Sequence, residues 1–267
     1  MTIELQRAGM WKRISALILD FILLCIVATG FLFIISYVVG YDSANDTFTQ
    51  RYNEYMKRYD YFEKTYDVDF DITGEQYDAL SEEVKERYKA AEEAIVNDEE
   101  ANRLKQECDN SYRIVINLTV LMTSLGIFIA CLLLEFVVPL LLKDGQTVGK
   151  KIFGLCVVNA NAVRLRPTVL FVRAILGKYT IEIMVPVFIF LLIFFSDIGI
   201  VGLAVLGLIL ILQVAVYIGT QNNSAIHDLL AGTVVVEAAS QRIFNTREEM
   251  LEYEKKQAEY LALRGDD

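Results

Sequence analysis

Residues 11–24 read WKRISALILDFILL, and they place a single carboxylate, Asp20, inside a long run of apolar side chains. This run begins after Arg13 and continues to about residue 39. A helix of about 20 apolar residues crosses the roughly 30 Å hydrocarbon core of a bilayer. A charge near the centre of such a helix costs about 2.5–3.5 kcal/mol on insertion scales. We therefore expect Asp20 to face a partner, a water-filled cavity or a transported ion.

The composition of the whole chain is that of an integral membrane protein. Of its 267 residues, 54% are apolar and only three are proline, and the mean hydropathy is +0.38. A soluble domain of this size is rarely so apolar. Four stretches, 14–39, 114–142, 174–195 and 198–219, have the length of a span, and their backbones must be helical because lipid satisfies no amide groups. The sequence predicts an all-α, multi-pass transmembrane helical bundle of four spans.

The distribution of charge predicts how the spans are oriented. The first span is too long for a signal peptide, so it is expected to remain as an anchor. Lysines and arginines cluster before the first span, between the second and third, and after the fourth. Because such clusters stay on the cytoplasmic side, both termini are predicted to be cytoplasmic in a cell-membrane protein. The acidic segment 41–110 then lies outside the cell.

The segment 41–110 has no long apolar run and is predicted to form a helical hairpin. Thr73 and Gln76 have the spacing of a capping box at the start of its second helix, which should continue as one amphipathic helix past residue 100. Residues 67–74 should form the turn between the two helices. The tyrosines along both helices fit either packing between them or ligand binding. The predicted domains are a transmembrane domain, 1–240, interrupted by this hairpin, and a cytoplasmic helical tail, 241–267.

The connection between the second and third spans contains a glycine-rich stretch, KDGQTVGKKIFGL. It is not a P-loop, since only three residues separate Gly145 from Gly149 and no Ser or Thr follows Lys150. The glycines are therefore expected to make tight turns. Residues 155–165 are expected to form a small hairpin or an interfacial stretch. The segment QNNSAIHDLLAGTVVVE, 221–237, is too short and polar to span and is expected to lie at the membrane interface.

Each predicted span carries at least one polar residue near its cytoplasmic end. At about 1.5 Å per helical residue, these side chains lie roughly 6–12 Å below the inner surface. They would share one polar layer, in which Lys178 and Glu182 can pair along their own helix. The layer fits a structural network, an ion or proton site, or a recognition surface for another membrane protein. Its members are Asp20, Glu135, Lys178, Glu182 and Gln213, with Arg13 and Arg173 at the surface.

These residues resemble the RDD family of membrane proteins, which is named for one arginine and two aspartates. Arg13 and Asp20 fit the first two letters, and Asp228 in HDLLAGTVVV fits the third. The stretch DGQTVGKKIFGL, 144–155, is similar to the family's glycine-rich segment, and Arg173 to the arginine before its next helix. The acidic hairpin resembles insertions in some Gram-positive members. The resemblance implies a multi-pass bacterial membrane protein, with cation/proton exchange suggested for some members.

The leading hypothesis is transport of a small cation or a proton-coupled solute, with Asp20 as the central carboxylate. Glu135 and Glu182 would act as co-ligands or proton acceptors, and Lys178 would compete with the cation. Arg13 and Asp228 would form a gate or anchor at the cytoplasmic mouth. The alternative is a non-transporting scaffold or accessory subunit that binds another membrane or envelope protein.

The sequence does not favour an enzyme, because its one histidine, His227, has no nearby nucleophile motif and no metal-site spacing. No cofactor and no metal site are predicted. The expected partners are the lipid bilayer, a small cation or proton, and either a second copy of the chain or another membrane protein. Nucleic acid is not among them.

Overall fold

The computed structural model describes residues 5–142, 144–195, 199–220 and 224–264, with side chains up to residue 260. One π-helical segment, Leu132–Val137, joins the α-helices Glu99–Cys131 and Val138–Leu142. A second, Val172–Met184, joins the α-helices Pro167–Phe171 and Val185–Phe195. In chain order the helices are α1 (Met10–Val39), α2 (Tyr41–Tyr66), α3 (Gly74–Asp78), α4 (Glu82–Asn97), α5 (Glu99–Cys131), α6 (Val138–Leu142), α7 (Val148–Ile152), α8 (Pro167–Phe171), α9 (Val185–Phe195), α10 (Gly199–Gly219), α11 (Ile226–Ala231) and α12 (Arg247–Arg264), and the strands are β1 (Leu155–Asn159) and β2 (Thr233–Glu237).

The prediction of a helical bundle with four candidate spans is confirmed. Within the described ranges, four helices are long and apolar enough to cross a membrane: Met10–Val39, Glu99–Leu142, Pro167–Phe195 and Gly199–Gly219. Most of their large apolar side chains point outward, as Ile200 does with 87% of its surface exposed. A bilayer would cover these side chains, since lipid tails are as apolar as they are. Residue 198, the predicted start of the fourth span, lies outside the described residues.

Each π-helical segment ends two residues before a proline, Pro139 or Pro186. Proline has no amide hydrogen for the carbonyl four residues earlier, and its ring clashes with that carbonyl in an α-helix. The wider π turn, with bonds from residue i to i+5, relieves this clash. At Val138 the amide accordingly donates to the carbonyl of Leu133, five residues back. Both prolines therefore follow a widened turn in their helices.

The chain divides into two compact units, one of which is Ile34–Met122. In this unit α2 ends at Tyr66 and is followed by its C-cap residue Asp67, whose φ of 53° is left-handed, and the capping box of Thr73 and Gln76 is confirmed. The second helix is not continuous as predicted: α3 ends at Asp78, and two further helices begin at Glu82 and Glu99.

The break before α5 has a local cause. The Asp98 carboxylate accepts a hydrogen bond from the amide of Ala101 at 2.6 Å, which is the contact of an N-cap residue. It also forms an ion pair with Arg58, which links the junction between α4 and α5 to α2. The Arg58 hydrogen bond, together with the Ala101 amide, lowers the pKa of Asp98 from its ordinary value of 3.8.

The other unit contains Met1–Phe33 and Thr123–Asp267. Here β1 and β2 pair in antiparallel fashion, with Leu155 opposite Glu237 and Asn159 opposite Thr233. Four residues of each strand are buried, which suits a β-branched run such as TVVV. The small hairpin predicted within residues 155–165 forms only as an isolated bridge between Val158 and Arg164, because β1 pairs along its length with β2. The sequence did not predict this pairing, in which the segment 221–237 ends in a strand. Residues 221–223 of that segment lie outside the described residues.

Candidate functional site

The Asp20 carboxylate binds the N-terminal residues of α7, a short helix that packs against the first span. One carboxylate oxygen accepts from the Thr147 hydroxyl at 2.5 Å, and the other accepts from the Gly149 amide at 2.8 Å. The Lys150 ammonium lies 3.5 Å away, and the Thr147 hydroxyl in turn accepts from the Lys150 amide at 3.3 Å. Both oxygens of Asp20, which is 5% exposed, are therefore satisfied by α7.

Gly149 is required for this contact. A Cβ atom built there would lie 2.4 Å from the carbonyl oxygen of Ala16 and 2.8 Å from the Asp20 carboxylate. Any side chain would push α7 away from α1. The prediction that the glycines make turns fits Gly145 and Gly154, whose φ angles are +63° and +67°, whereas Gly149 serves the close approach of two helices.

Asp228 belongs to a second cluster, centred on Arg173. The Arg173 guanidinium, which is 1% exposed, donates to Asp228 at 2.8 Å and lies 2.9 Å from Nε2 of His227. Because arginine only donates, that nitrogen accepts and the imidazole proton is assigned to Nδ1. Nδ1 then donates to Glu182 at 2.7 Å, and the His227 amide donates to the same carboxylate at 2.9 Å. The cluster is a continuous chain of four polar side chains.

Gly177 leaves room for α11 to pack closely against the third span, which places His227 and Asp228 beside that span. A Cβ atom at Gly177 would lie 2.6 Å from Cβ and 2.7 Å from Cα of His227. Real Cβ atoms do not approach this closely, so a larger residue would displace α11 from Arg173 and Glu182. The glycine thereby sets the position of both members of the His227–Asp228 pair.

A third cluster joins the two π-helical segments. Glu135, in the first, accepts a hydrogen bond from the ammonium of Lys178, in the second. Glu135 is 2% exposed, and its other oxygen, Oε2, has no hydrogen-bond partner among the described residues. The predicted pairing of Lys178 with Glu182 is not observed, since Glu182 contacts His227. In a π-helix, residues four apart no longer align as they do in an α-helix.

Arg13 and Gln213 differ in their relation to these clusters. Arg13 donates to the carbonyl of Val235 in β2 at 2.6 Å and faces the hydroxyl of Tyr217. Gln213 is half-buried and does not line the cavity described below, whereas Tyr217, one turn further along α10, does. The fourth span therefore contributes Tyr217 to the cavity, a residue that the sequence pattern did not indicate.

A small cavity lies among the clusters, with a volume of about 60 Å³. A water molecule needs about 10–15 Å³ measured in this way, so the cavity has room for several. Among the described residues of this polar core, four cationic side chains face four carboxylates: Arg13, Lys150, Arg173 and Lys178, and Asp20, Glu135, Glu182 and Asp228. The polar residues that line the cavity are Arg13, Asp20, Lys150, Lys178, Tyr217, His227 and Asp228.

A sequence signal connects two of these carboxylates. The second span contains EFVVP, 135–139, and the third contains EIMVP, 182–186, so each glutamate stands four residues before a proline. Each proline withholds the α-helical hydrogen bond from the carbonyl of its glutamate. The pattern therefore places a carboxylate and an altered backbone carbonyl at the same residue in both spans.

Comparison with known proteins bears on this arrangement. The model of the RDD family matches residues 7–232, which include Arg13, Asp20 and Asp228. No curated protein and no solved structure matches the chain.

Proposed function

This chain belongs to the RDD family, a family of membrane proteins, and on that premise we propose that it exchanges a small cation for a proton across the cell membrane. The observation that carries the proposal is the buried Glu135 carboxylate, with one oxygen on Lys178 and the other without a partner among the described residues. A buried carboxylate oxygen without a hydrogen bond is costly, and a proton or a cation would stabilise it. Glu135 then takes the central role that the sequence analysis gave to Asp20.

Lys178 already contacts one oxygen of Glu135, so a metal cation at the other oxygen would lie beside the ammonium group. The two positive charges would repel each other. With His227 neutral, the four cationic and four carboxylate side chains of the core balance, so an additional cation leaves one uncompensated charge in a medium of low dielectric constant. Loss of the Lys178 proton restores the balance and couples one cation to one proton.

Asp20 and Asp228 have supporting roles in this proposal. Asp20 anchors α7, which brings Lys150 to the cavity, and Asp228 holds Arg173 beside Glu182 and His227. The altered backbone at Glu135 and Glu182 offers carbonyl oxygens of the kind that coordinate ions in interrupted transporter helices. The proposed topology has both termini in the cytoplasm and residues 41–110 outside the cell.

Flux in sealed proteoliposomes tests the proposal. With a pH-sensitive dye inside, an imposed sodium or potassium gradient should drive proton movement through the native chain. Glu135→Gln should abolish this movement, and Lys178→Ala should retain cation flux but lose its coupling to protons. Thr180→Val, on an exposed position of the same span, is the matched control. Glu135→Gln protein that inserts normally and exchanges at the native rate would overturn the assignment.

A scaffold or accessory subunit is the second candidate, because Asp20, Asp228, Glu182 and Arg173 are all engaged with one another or with α7. A fully paired network can serve only to fix the helices. Deletion of residues 45–107 separates the two functions. A transporter centred on Glu135 should keep its flux, whereas a scaffold that docks through the hairpin should lose a stoichiometric partner in affinity purification.

A further inference from the structure

The unit Ile34–Met122 contains a recess whose walls are aromatic rings. It has a volume of about 240 Å³ and lies between the turn after α2 and the helices α3 and α4. Phe70, Tyr77 and Tyr88 line it, together with the acidic residues Asp78 and Glu92. This volume is below the roughly 300–1,000 Å³ of pockets for drug-sized ligands, so it suits a single small group. We call these five residues the aromatic recess.

The rings of the aromatic recess stand at right angles. The planes of Tyr77 and Tyr88 meet at 90° with their centroids 5.5 Å apart, and those of Phe70 and Tyr88 meet at 85° with centroids 6.1 Å apart. Two rings at right angles to a third present differently oriented walls to one cavity. The negative face of an aromatic ring attracts a cation within about 6 Å of its centroid.

The central ring is held in place before any ligand arrives. The Tyr88 hydroxyl donates to the carbonyl of Asp69 at 2.7 Å and accepts from the Asp69 amide at 3.1 Å. The next amide, that of Phe70, donates to the Glu63 carboxylate at 2.9 Å. These bonds fix two of the three walls, so a ligand would not have to order them. They also occupy the Tyr88 hydroxyl, which leaves its ring as the surface offered to the recess.

The charge of the aromatic recess is negative and uncompensated. Asp78 and Glu92 are exposed and form no ion pair within residues 34–122, all of which the structure describes. The two lysines of α4, Lys85 and Lys89, pair with Glu82 at 3.2 Å and with Glu86 at 3.0 Å. Two carboxylates beside three aromatic rings favour a cation, and they disfavour an anion or a neutral polar ligand.

We propose that the aromatic recess binds the quaternary ammonium group of a small organic cation. Such a group carries a positive charge but no hydrogen-bond donor, so it suits aromatic walls and loses little hydration on entry. A primary ammonium is strongly hydrated and would have to give up that water against the aromatic rings. This site is separate from the polar core of the other unit, and the proposal does not rest on cation transport.

Choline and its neutral analogue 3,3-dimethyl-1-butanol, which have the same shape, test the proposal. The full chain is placed in nanodiscs of phosphatidylglycerol, because choline lipids and phosphocholine detergents would compete. Saturation transfer from protein to the ligand methyl protons then reports binding. Choline should bind, with an affinity that falls as salt is raised, and the neutral analogue should bind much more weakly. Equal binding of both ligands, or no binding of choline, would refute the proposal.

Substitutions then locate the binding. Tyr77→Leu and Asp78→Asn should each weaken choline binding about three- to fivefold, the loss expected for one cation–π or charge contact. Tyr52→Leu is the matched control, since Tyr52 lies in the same unit, outside the recess, and is exposed. Tyr88 is left intact because its hydroxyl supports the turn. If Tyr77→Leu and Tyr52→Leu bind choline equally well, the site lies elsewhere and the proposal is wrong.

Discussion

The two units use the same kinds of ion pair in different surroundings. In the Ile34–Met122 unit the side chains of Arg58 and Asp98 are 26% and 19% exposed, whereas those of Arg173 and Asp228 in the other unit are 1% and 6% exposed. A partly exposed pair is screened by solvent and contributes little to stability. A buried pair has lost its hydration, so removal of one partner leaves a charge with nothing to compensate it. Loss of one partner of an Arg–Asp ion pair is thus expected to affect stability very differently in the two units.

The largest effect is expected from breaking the buried pair. Arg173→Met should destabilise the protein by about 3–5 kcal/mol, because the carboxylate of Asp228 stays buried without its guanidinium. Thermal unfolding in maltoside micelles, followed by circular dichroism, measures the change. The double variant Arg173→Met with Asp228→Leu should recover more than half of the loss. If the double variant is no more stable than the single one, the uncompensated charge is not the cause.

The next effect is expected at the contact of α7 with the first span. Gly149→Ala should cost about 1–3 kcal/mol, since the added methyl group would overlap the Ala16 carbonyl and the Asp20 carboxylate. Gly207→Ala is the control, because a Cβ atom there meets nothing within 4 Å. The same unfolding measurement applies to both variants. Equal stability of the two would show that α7 can move away from α1 without loss.

A smaller effect is expected at the cap of α7. Thr147→Val keeps the shape of the side chain but removes the hydroxyl that joins Asp20 to the Lys150 amide, and it should cost about 1–2 kcal/mol. Cross-linking of cysteines introduced at exposed positions of α1 and α7 would report whether the helices separate. Thr147→Ser, which retains the hydroxyl, should restore the native pattern. A serine variant as impaired as the valine variant would argue against the hydrogen bond.

The smallest effect is expected at the partly exposed pair of the Ile34–Met122 unit. Its hydrogen bond to Arg58 holds the pKa of Asp98 below the ordinary value of 3.8. The resulting stabilisation is therefore fully present above that value and is lost as the pH falls through the lower pKa of the folded state. Hydrogen exchange of the α2 and α5 amides between neutral and acidic pH should show this loss. Arg58→Gln should flatten it, and an unchanged pH profile would contradict the assignment.

The sequence predicted local features well. The capping box of Thr73 and Gln76 and the four apolar helices follow from residues that are near one another in the chain, so pattern alone identifies them. Asp98 shows the limit of such reasoning. An acidic residue in an amphipathic stretch reads as part of a solvated face, but its bonds to Arg58 and to the Ala101 amide make it a helix cap.

The sequence indicated which residues belong to the polar core better than it indicated which of them contact one another. The sequence selected Asp20, Glu135, Lys178 and Glu182 by their position inside apolar runs, but it offered a pairing of Lys178 with Glu182 that the π-helical backbone does not allow. Gln213 was selected by the same rule and does not line the cavity. His227 was considered only as a catalytic residue, and its contacts with Arg173 and Glu182 depend on α11 entering at Gly177.

The sequence by itself determined that this chain has four apolar helices, a separate acidic helical segment and charges inside the apolar runs. Hydrophobic length and local capping are properties of neighbouring residues, so no partner is needed to state them. Only the tertiary structure decided which cation meets which carboxylate, that β1 pairs with β2, and that one oxygen of Glu135 has no hydrogen-bond partner among the described residues. Those outcomes depend on the rotation of each helix about its axis and on the close approaches at Gly149 and Gly177. Both arise only when distant segments pack together.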